Sequence, residues 1–221
     1  MQKTEKKIIN KSTTFTFPHN YYEEAYWREN KLVCGIDEVG RGCLAGPVVA
    51  AAALLPANTT YKDLKDSKCM SEKARNTAFS WLKENCLYGI GIVNSKYIDQ
   101  HNIRNATLLA MHKACMHLLS TLQQPPSAFL VDAMPLSFQN SVYQNIPVYS
   151  FIKGEQKSSS IAAASIIAKV WRDDLITHVD QQFPGYHLSQ HKGYGTAKHR
   201  MALKEKRDSI IHRTTFLKNI L

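Results

Sequence analysis

The chain has 221 residues, of which 44% are hydrophobic and 21% charged, so it can bury one α/β core and is short for two. Its formal net charge of +10 predicts a polyanionic partner, and nucleic acid rather than a membrane, because no long apolar span or basic amphipathic helix is present. The five cysteines are scattered without a C-x-x-C pair, which argues against a zinc site or a disulfide framework and favours a reducing cytoplasm.

The N-terminal residues are unlike the rest of the chain. Residues 1–18, MQKTEKKIINKSTTFTFP, contain lysines but no apolar segment of the kind that a secretory signal needs, and we predict a mobile basic tail there. Residues 19–221 are predicted to form a single domain, and the segment at 21–30, YYEEAYWREN, has helical composition.

Strand and helix patterns then follow in an order that indicates the fold class. Strand-like runs rich in Val, Ile, Leu, Tyr and Phe occur at 32–38, 47–55, 86–93, 128–132 and 147–152. Helical patterns occur at about 71–84, 103–122, 158–179 and 196–206. Because strands come first and helix–strand alternation follows, the sequence predicts an α/β domain with a mixed five-stranded sheet flanked by helices.

An adjacent pair of carboxylates interrupts the apolar stretch at 33–53, VCGIDEVGRGCLAGPVVAAAA. Asp37 and Glu38 lie in the middle of this predicted core strand. An unpaired buried carboxylate costs several kcal/mol or takes up a proton, so two in a row need cations to hold them. The pair therefore predicts a metal site.

A glycine-flanked arginine follows the pair. Gly40 and Gly42 let a substrate backbone approach main-chain N–H groups beside the fixed positive fork of Arg41, which suits a phosphate or sugar ligand. The alternative is a tight turn in which Arg41 pairs with Asp37 or Glu38, and this stretch alone fits both interpretations.

Two later predicted strands are also followed by carboxylates. Asp132 comes at the end of AFLVDA, and Glu155 comes at the end of IPVYSFIKGE. Ligands gather at the carboxyl ends of strands in open α/β sheets, so three strand ends would bring four carboxylates together. Such hard oxygen ligands select Mg²⁺ or Mn²⁺, and two ions about 4 Å apart suit an in-line displacement at phosphorus. Taken singly, Asp132 fits a helix cap or turn, and Glu155 fits a surface residue paired with Lys153 or Lys157.

The stretch at 33–53 and six later segments resemble, in the same order, the blocks of the type 2 ribonuclease H family, whose bacterial members are called ribonuclease HII. The later segments are DSKCMSEKAR at 66–75, NIRNATLLAM at 102–111, FLVDA at 129–133, IKGEQKSSSIAAASIIAKVWRD at 152–173, HKGYGTAKH at 191–199 and IHRTTF at 211–216. The resemblance implies a ribonuclease H-like fold and a metal-dependent endonuclease. Such an enzyme hydrolyses RNA in RNA–DNA hybrids, and ribonucleotides embedded in duplex DNA, leaving 3′-hydroxyl and 5′-phosphate ends.

The resemblance also assigns roles to individual residues. It implies that four carboxylates bind two Mg²⁺ or Mn²⁺ ions, namely Asp37, Glu38, Asp132 and Glu155. It implies that Lys68 of the D-S-K block binds backbone phosphate. Lys169, on a predicted small-residue helix, is a further candidate substrate contact, although a surface lysine with an extended side chain is the competing interpretation. The residues implied to examine the ribose 2′-hydroxyl are Gly40, Arg41, Gly42 and Tyr194.

The chain departs from the family pattern at one ligand position. The family's K-G-D block has aspartate where this chain has Glu155, and glutamate there is typical of ribonuclease HIII, which handles isolated ribonucleotides poorly. The rival candidates for the fourth ligand are Asp173 and Asp174 in KVWRDD. The intact G-R-G sequence and Tyr194 favour ribonuclease HII over an HIII-like enzyme. A noncatalytic nucleic-acid-binding protein is the third alternative, disfavoured because a binder gains nothing from carboxylates that face phosphates.

Four histidines lie in the basic C-terminal region, at 187, 191, 199 and 212. A general base is one interpretation, but contacts with the backbone or with phosphate are the expectation. The remaining expectations are RNA–DNA hybrids and ribonucleotide-containing duplex DNA as partners, no membrane association, a monomeric state and a cytoplasmic location.

Overall fold

The computed structural model describes residues 20–59, 61, 64 and 67–221. The predicted tail at 1–18 and Asp66 of the D-S-K block lie outside these residues. The strands are β1 (Val33–Val39), β2 (Val48–Leu54), β3 (Leu87–Val93), β4 (Ala128–Asp132) and β5 (Val148–Phe151). The helices are α1 (Tyr21–Trp27), α2 (Glu72–Asn85), α3 (Ser95–Leu119), α4 (Ser159–Asp180), α5 (Leu188–His191) and α6 (Ala197–Lys206), and 3-10 helices occur at Ser67–Cys69, Gly154–Gln156 and Thr214–Phe216.

The five strands form one mixed sheet in the order β3-β2-β1-β4-β5, which confirms the predicted fold class. The pairs β1–β2 and β2–β3 are antiparallel, whereas β1–β4 and β4–β5 are parallel. Ile36 of β1 is paired with Val131 of β4. The next residue along each of these parallel strands is a carboxylate, so the register places Asp37 beside Asp132.

Helices cover both faces of the sheet. One face packs mainly on α3, and the other packs on α4 and α2. Two glycines allow these helices to approach closely: a Cβ at Gly35 would lie 2.0 Å from the Ser160 carbonyl carbon, and one at Gly91 would lie 1.9 Å from the Ala110 oxygen. The close approach of α4 to β1 puts the side chains of α4 over the carboxylates of β1.

A third apolar cluster lies beyond the C-terminal part of α4. Its members come from the loop after β1, from α4 to α6 and from the C-terminal segment, and include Leu44, Ile176, Leu203 and Leu217. This cluster brings the C-terminal residues of the chain next to the G-R-G loop.

Two elements differ from the sequence predictions. Helix α3 begins at Ser95, eight residues before the predicted start. Asn102 adopts a positive φ of 64° and kinks the helix, and the predicted helix corresponds to the part after this kink. Its side chain accepts a hydrogen bond from the Asn105 N–H at 3.0 Å, so the predicted pattern began after this internal cap. The short helix α5 was not predicted. In the described part of the chain, no helix has the length and apolarity needed to cross a bilayer.

Candidate functional site

The structure brings three of the four predicted carboxylates together where β1 and β4 end. Asp37 is 4% exposed, and the side chain of Glu38 is 10% exposed. Burial, followed by the negative charges of Glu38 and Asp132, raises the pKa of the Asp37 carboxyl well above its usual range. Burial also raises the pKa of Glu38, although the nearby positive charges of Arg41 and Lys68 oppose that rise. The site therefore concentrates negative charge in a poorly solvated place.

Hydrogen bonds from the surrounding fold orient two of these carboxylates. Asp37 Oδ1 accepts the Glu38 N–H at 2.7 Å, and its carboxylate also hydrogen-bonds with the Ser165 hydroxyl of α4. Ser165 Oγ lies 2.8 Å from Ser67 Oγ, so the 3-10 helix at Ser67–Cys69 is linked to the site. Asp132 Oδ1 accepts the Gly154 N–H at 2.8 Å. The two serines were missed by sequence reasoning, although both lie in segments quoted for the family resemblance.

Glu155 lies at the edge of this group. It is half-buried on the 3-10 helix Gly154–Gln156 and directly follows the residue that donates to Asp132. The two rival aspartates are engaged elsewhere: Asp173 pairs with Lys169 at 2.8 Å, and Asp174 is exposed beside an apolar hollow that Trp171 lines. The backbone thus brings Glu155, and not Asp173 or Asp174, next to the carboxylate group.

The donor atoms suit a hard divalent cation. Glu38 Oε2 is buried and has no hydrogen-bond partner among the described residues, which is costly unless a cation or a water molecule approaches it. The nearby donors are carboxylate oxygens, which Mg²⁺ and Mn²⁺ prefer over the nitrogen and sulfur ligands of zinc. Within residues 20–59, 61, 64 and 67–221, no three His, Cys, Asp or Glu side chains already have the mutual arrangement of a metal site. The residues therefore fit such an ion in the kind of donor atom that they supply.

The G-R-G loop follows β1 directly. Arg41 Nη1 lies 3.3 Å from Glu38 Oε1, so the ion pair considered in the sequence alternative is present, while 41% of the arginine side chain is exposed. Gly40 has a φ of 92°, and a Cβ there would lie 2.2 Å from Arg172 Nε. In the part of the chain that the structure describes, no atom lies within 4 Å of a Cβ built at Gly42, so a ligand backbone can approach this position.

Tyr194 and Lys169 lie beside this loop. Tyr194 is 39% exposed, and its hydroxyl hydrogen-bonds with the Cys43 thiol, which directly follows Gly42. Lys169 Nζ lies 5.8 Å from the Tyr194 ring centroid, a cation–π distance, and the lysine side chain is 15% exposed. The Lys169 side chain is therefore largely covered, and its charged end lies between Asp173 and the Tyr194 ring. Cys43 is a third residue that sequence reasoning missed, because a scattered cysteine carries no spacing signal.

Three of the four C-terminal histidines are buried, and two of them hydrogen-bond with main-chain carbonyls. His191 Nε2 lies 2.9 Å from the Tyr186 oxygen, and His199 Nδ1 lies 3.0 Å from the Tyr194 oxygen. His212 is buried against His199. His212 also contacts the main chain, because its Nδ1 accepts the Ser209 N–H at 3.0 Å, so the expectation of backbone contacts is met for these three histidines.

Comparisons with known proteins agree with this geometry. The family model described as Ribonuclease HII matches residues 34–219. A curated Ribonuclease HII from Acetivibrio thermocellus is 45% identical over 202 residues, which are 91% of this chain and 75% of that protein. The predicted family resemblance is thereby confirmed.

Solved structures share the fold. The crystal structure of ribonuclease H2 from Pyrococcus horikoshii has a TM-score of 0.69 and 26% identity, and the match covers 86% of this chain and 96% of that one. The structure of the PCNA:RNase HII complex from Archaeoglobus fulgidus has a TM-score of 0.66 and 25% identity, with 82% and 93% of the two chains covered. The predicted ribonuclease H-like fold is confirmed by these neighbours.

Proposed function

Because this chain belongs to the ribonuclease HII family and is a ribonuclease H-type hydrolase, we propose that it cleaves the RNA strand of RNA–DNA hybrids and single ribonucleotides embedded in duplex DNA. The observation that carries the proposal is the meeting of Asp37, Glu38 and Asp132 beside an open, glycine-flanked Arg41. The first group suits phosphodiester hydrolysis, and the second suits recognition of a ribose beside the scissile phosphate.

The reaction assigned to the site is hydrolysis at phosphorus. A water oxygen forms the new P–O bond, the bond from phosphorus to the O3′ of the preceding nucleotide breaks, and that O3′ gains a proton, so the products are a 3′-hydroxyl and a 5′-phosphate. Two Mg²⁺ or Mn²⁺ ions, when bound, would activate the water and stabilise the leaving oxygen. The residues proposed to hold them are Asp37, Glu38, Asp132 and Glu155.

The chain's own groups orient these ligands and the substrate. Ser165 and the Glu38 N–H hold Asp37, and the Gly154 N–H holds Asp132, so these carboxylates lose little freedom on binding an ion. Lys68, whose charge already acts on Glu38, is proposed to contact backbone phosphate, and Lys169 is proposed to do so beside Tyr194. These placements support general roles in binding the polyanion.

We propose that Gly40, Arg41, Gly42 and Tyr194 read the ribose 2′-hydroxyl. That hydroxyl is the group that lets a protein tell RNA from DNA, and a main-chain and phenol clamp can donate to it and accept from it. The open space above Gly42 and the 39% exposure of Tyr194 support an approach from this side.

Two alternatives differ in what they predict. An HIII-like enzyme would cleave long hybrids but handle single ribonucleotides poorly, and a noncatalytic binder would cleave neither. The cytoplasmic location, the monomeric state and the single domain at 19–221 stay predictions.

The deciding experiment uses three duplexes of one sequence: one with a single ribonucleotide, one with an all-RNA strand, and one of DNA alone. With Mg²⁺ or Mn²⁺, the protein is expected to cleave the first two, and a chelator is expected to stop both reactions. Asp37→Asn should fold normally and lose cleavage, while its duplex binding stays equal or tightens because a charge that repels phosphate is removed. Near-normal turnover by Asp37→Asn would reject the assigned site.

The ribose-reading role has its own test. Tyr194→Phe keeps the ring and deletes the hydroxyl, and Arg41→Ala deletes the guanidinium. Both are expected to reduce cleavage at a single ribonucleotide more than cleavage of the all-RNA strand, where many registers are available. Equal losses on the two substrates would assign these residues to general binding instead.

A further inference from the structure

The two loops proposed to read the ribose are far apart in sequence, and the C-terminal segment Ile211–Arg213 joins them. The Arg213 N–H donates to the Leu44 oxygen and the Gly46 N–H donates to the Ile211 oxygen, both at 2.8 Å. Ala45 and His212 form an isolated antiparallel bridge between these hydrogen bonds. The C-terminal segment is therefore a short strand added to the chain that continues from the G-R-G loop.

Arg213 extends from this segment under the G-R-G loop. Its side chain is fully buried, and it donates to the Gly40 oxygen at 2.7 Å, to the Arg41 oxygen at 2.8 Å and to the Gly46 oxygen at 2.8 Å. All three acceptors are main-chain carbonyls of one loop. A guanidinium is costly to bury, so this loop conformation and Arg213 depend on each other.

His212, the neighbouring residue, reaches the other loop. Its Nδ1 accepts the Ser209 N–H at 3.0 Å, which puts the ring hydrogen on Nε2. His199 Nδ1 must donate to the Tyr194 oxygen, which leaves His199 Nε2 as an acceptor. The two Nε2 atoms are 3.1 Å apart, so His212 donates to His199. Both ends of this chain of hydrogen bonds independently require the same neutral tautomers.

The two loops also contact each other directly. The Leu44 N–H donates to the Gly193 oxygen at 2.8 Å. Arg172 of α4, which is fully buried, donates to the Lys192 oxygen at 2.8 Å and to the Ala45 oxygen at 3.2 Å. The loop that bears Arg41 and the loop that bears Tyr194 thus form one hydrogen-bonded unit.

We propose that His212 and Arg213 are positioning residues that fix the spacing between Arg41 and Tyr194, and so set how well a single ribose is distinguished from deoxyribose. Arg213 binds the main chain of the loop that bears Arg41. His212, through His199, binds the main chain of the loop that bears Tyr194. The inference rests on the proposed function of the site and adds the residues that keep the Arg41 loop and the Tyr194 loop at a fixed spacing. Neither side chain is proposed to touch the substrate, because both are buried.

The test compares cleavage of the single-ribonucleotide duplex with cleavage of the all-RNA strand, as the ratio of their kcat/KM values. Arg213→Met removes all the donors, whereas Arg213→Lys keeps the charge but cannot span three carbonyls. His212→Leu removes the Nε2 donor, and His212→Gln can restore it with its amide. Arg28→Met, at the exposed arginine that directly follows α1, is the matched control.

We expect Arg213→Met and His212→Leu to lower the ratio at least tenfold. The loss should be mainly in kcat, and the Mg²⁺ concentration for half-maximal rate should be unchanged. His212→Gln and Arg213→Lys should recover part of the ratio, and Arg28→Met should keep it. All rates are measured below the melting temperature of each variant, so that a stability loss alone does not change the ratio.

The residues directly after the segment Ile211–Arg213 are bound to α3 at a partly exposed position. A substitution there provides a further test if the variants of buried residues fail to fold. Asp99 of α3 accepts hydrogen bonds from the N–H groups of Thr214 and Thr215 at 2.9 and 3.0 Å. Asp99→Ala loosens the segment at a partly exposed position and is expected to lower the ratio by a smaller factor. If folded His212→Leu, Arg213→Lys and Asp99→Ala all keep the wild-type ratio, the inference is overturned. A wild type inactive on both substrates would instead reject the proposed function.

Discussion

The fold places the Asp37 side chain in an environment that is unfavourable for a carboxylate. It is buried on β1 beside two other carboxylates, and this burial, followed by the negative charges of Glu38 and Asp132, raises the pKa of its carboxyl. A purely structural residue would be relieved by replacement with an amide or an apolar side chain of similar size. A metal ligand, by contrast, is costly for the free protein and useful only when the ion binds.

Glu155 is the proposed ligand with the least support from geometry, and it gives the first prediction of this section. If it binds metal, Glu155→Gln should lower kcat by about 100-fold or more, the effect of a few kcal/mol of transition-state stabilisation. Glu155→Asp should retain substantial activity, because a shorter carboxylate keeps the charge and both oxygens. The measurement is kcat over a series of Mg²⁺ and Mn²⁺ concentrations.

Asp173 and Asp174 supply the controls for Glu155. Asp174→Asn changes an exposed carboxylate and should leave the metal dependence unaltered. Asp173→Asn breaks the ion pair with Lys169 and should affect substrate binding more than metal affinity. If Glu155→Gln stays active while Asp173→Asn fails at every metal concentration, the fourth ligand has been assigned wrongly.

The carboxylates could be found from sequence because charge in an apolar strand is a strong signal. Asp37 and Asp132 each end a run whose other members are apolar, and strand ends meet in a sheet. Arg172 and Arg213 gave no such signal, because an arginine in a basic chain is normally solvated. Their burial is possible only through main-chain carbonyls supplied by distant loops, and no local pattern encodes that arrangement.

At the scale of elements, glycines do two distinct jobs in the segment around β1. Gly35 lets α4 pack against β1, since a Cβ there would overlap the Ser160 backbone. A Cβ at Gly42 would meet no atom of the described residues within 4 Å, so the fold itself does not require a glycine there. Substitutions at Gly35 and Gly42 can therefore distinguish an effect on the stability of the fold from an effect on substrate binding.

The second prediction uses this contrast. Gly35→Ala should destabilise the protein by several kcal/mol or prevent folding, because overpacking against a helix backbone cannot be relieved by a side-chain rotation. Gly42→Ala should keep the wild-type melting temperature within a few degrees and still reduce cleavage at least tenfold, since its methyl group occupies the proposed path of the substrate backbone. Thermal unfolding and single-turnover cleavage of the same preparations provide both values. A Gly42→Ala enzyme with full activity would show that no ligand comes close at this position.

The order and type of most elements were predictable because apolar periodicity is local. The start of α3 was not predictable in this way, since Asn102 continues the helix through a kink with a positive φ. Helix α5 is only four residues long and is held by tertiary contacts such as the Leu188 N–H donating to Asp180 Oδ1 at 2.7 Å. Elements that owe their existence to packing leave little trace in the sequence.

On the scale of the whole molecule, acidification has two opposing effects: it increases the positive charge that attracts a polyanion, and it works against a fold that keeps buried histidines neutral. The net charge of +10 favours a polyanion at neutral pH, and further protonation on acidification would increase that attraction. The buried histidines limit how far acidification can go, because the fold holds them neutral. Burial lowers the pKa of His199 to about 4 and also lowers those of His191 and His212.

The third prediction follows from the sign of these shifts. In the unfolded chain each histidine has its ordinary pKa of about 6.5, so below that pH the unfolded state binds more protons than the folded state. The stabilisation is complete above about pH 6.5 and is lost as the pH falls toward 4, the pKa of folded His199. Nearby Asp180 and Asp208 soften the loss by favouring protonation of His191 and His212, whereas Lys198 and His187 oppose protonation of His191. The melting temperature should therefore fall between pH 7 and pH 5.

The carboxylates of the candidate site change stability with pH in the opposite direction to the buried histidines, so variants of the two groups should shift the pH dependence in opposite ways. The raised pKa values of Asp37 and Glu38 mean that the folded state gains protons first, so these groups add stability as the pH falls. Asp37→Asn removes part of that gain and should steepen the decline in melting temperature. His212→Gln should flatten it, because one of the neutral buried rings is gone, and exposed His178→Gln should leave the slope unchanged. A wild-type melting temperature that stays constant from pH 7 to pH 5, with the His212→Gln slope equal to it, would mean that the histidine cluster takes up protons without opposing the fold. The tautomers inferred for the link from His212 to Tyr194 would then be wrong, because a second proton on either ring sets two N–H groups against each other.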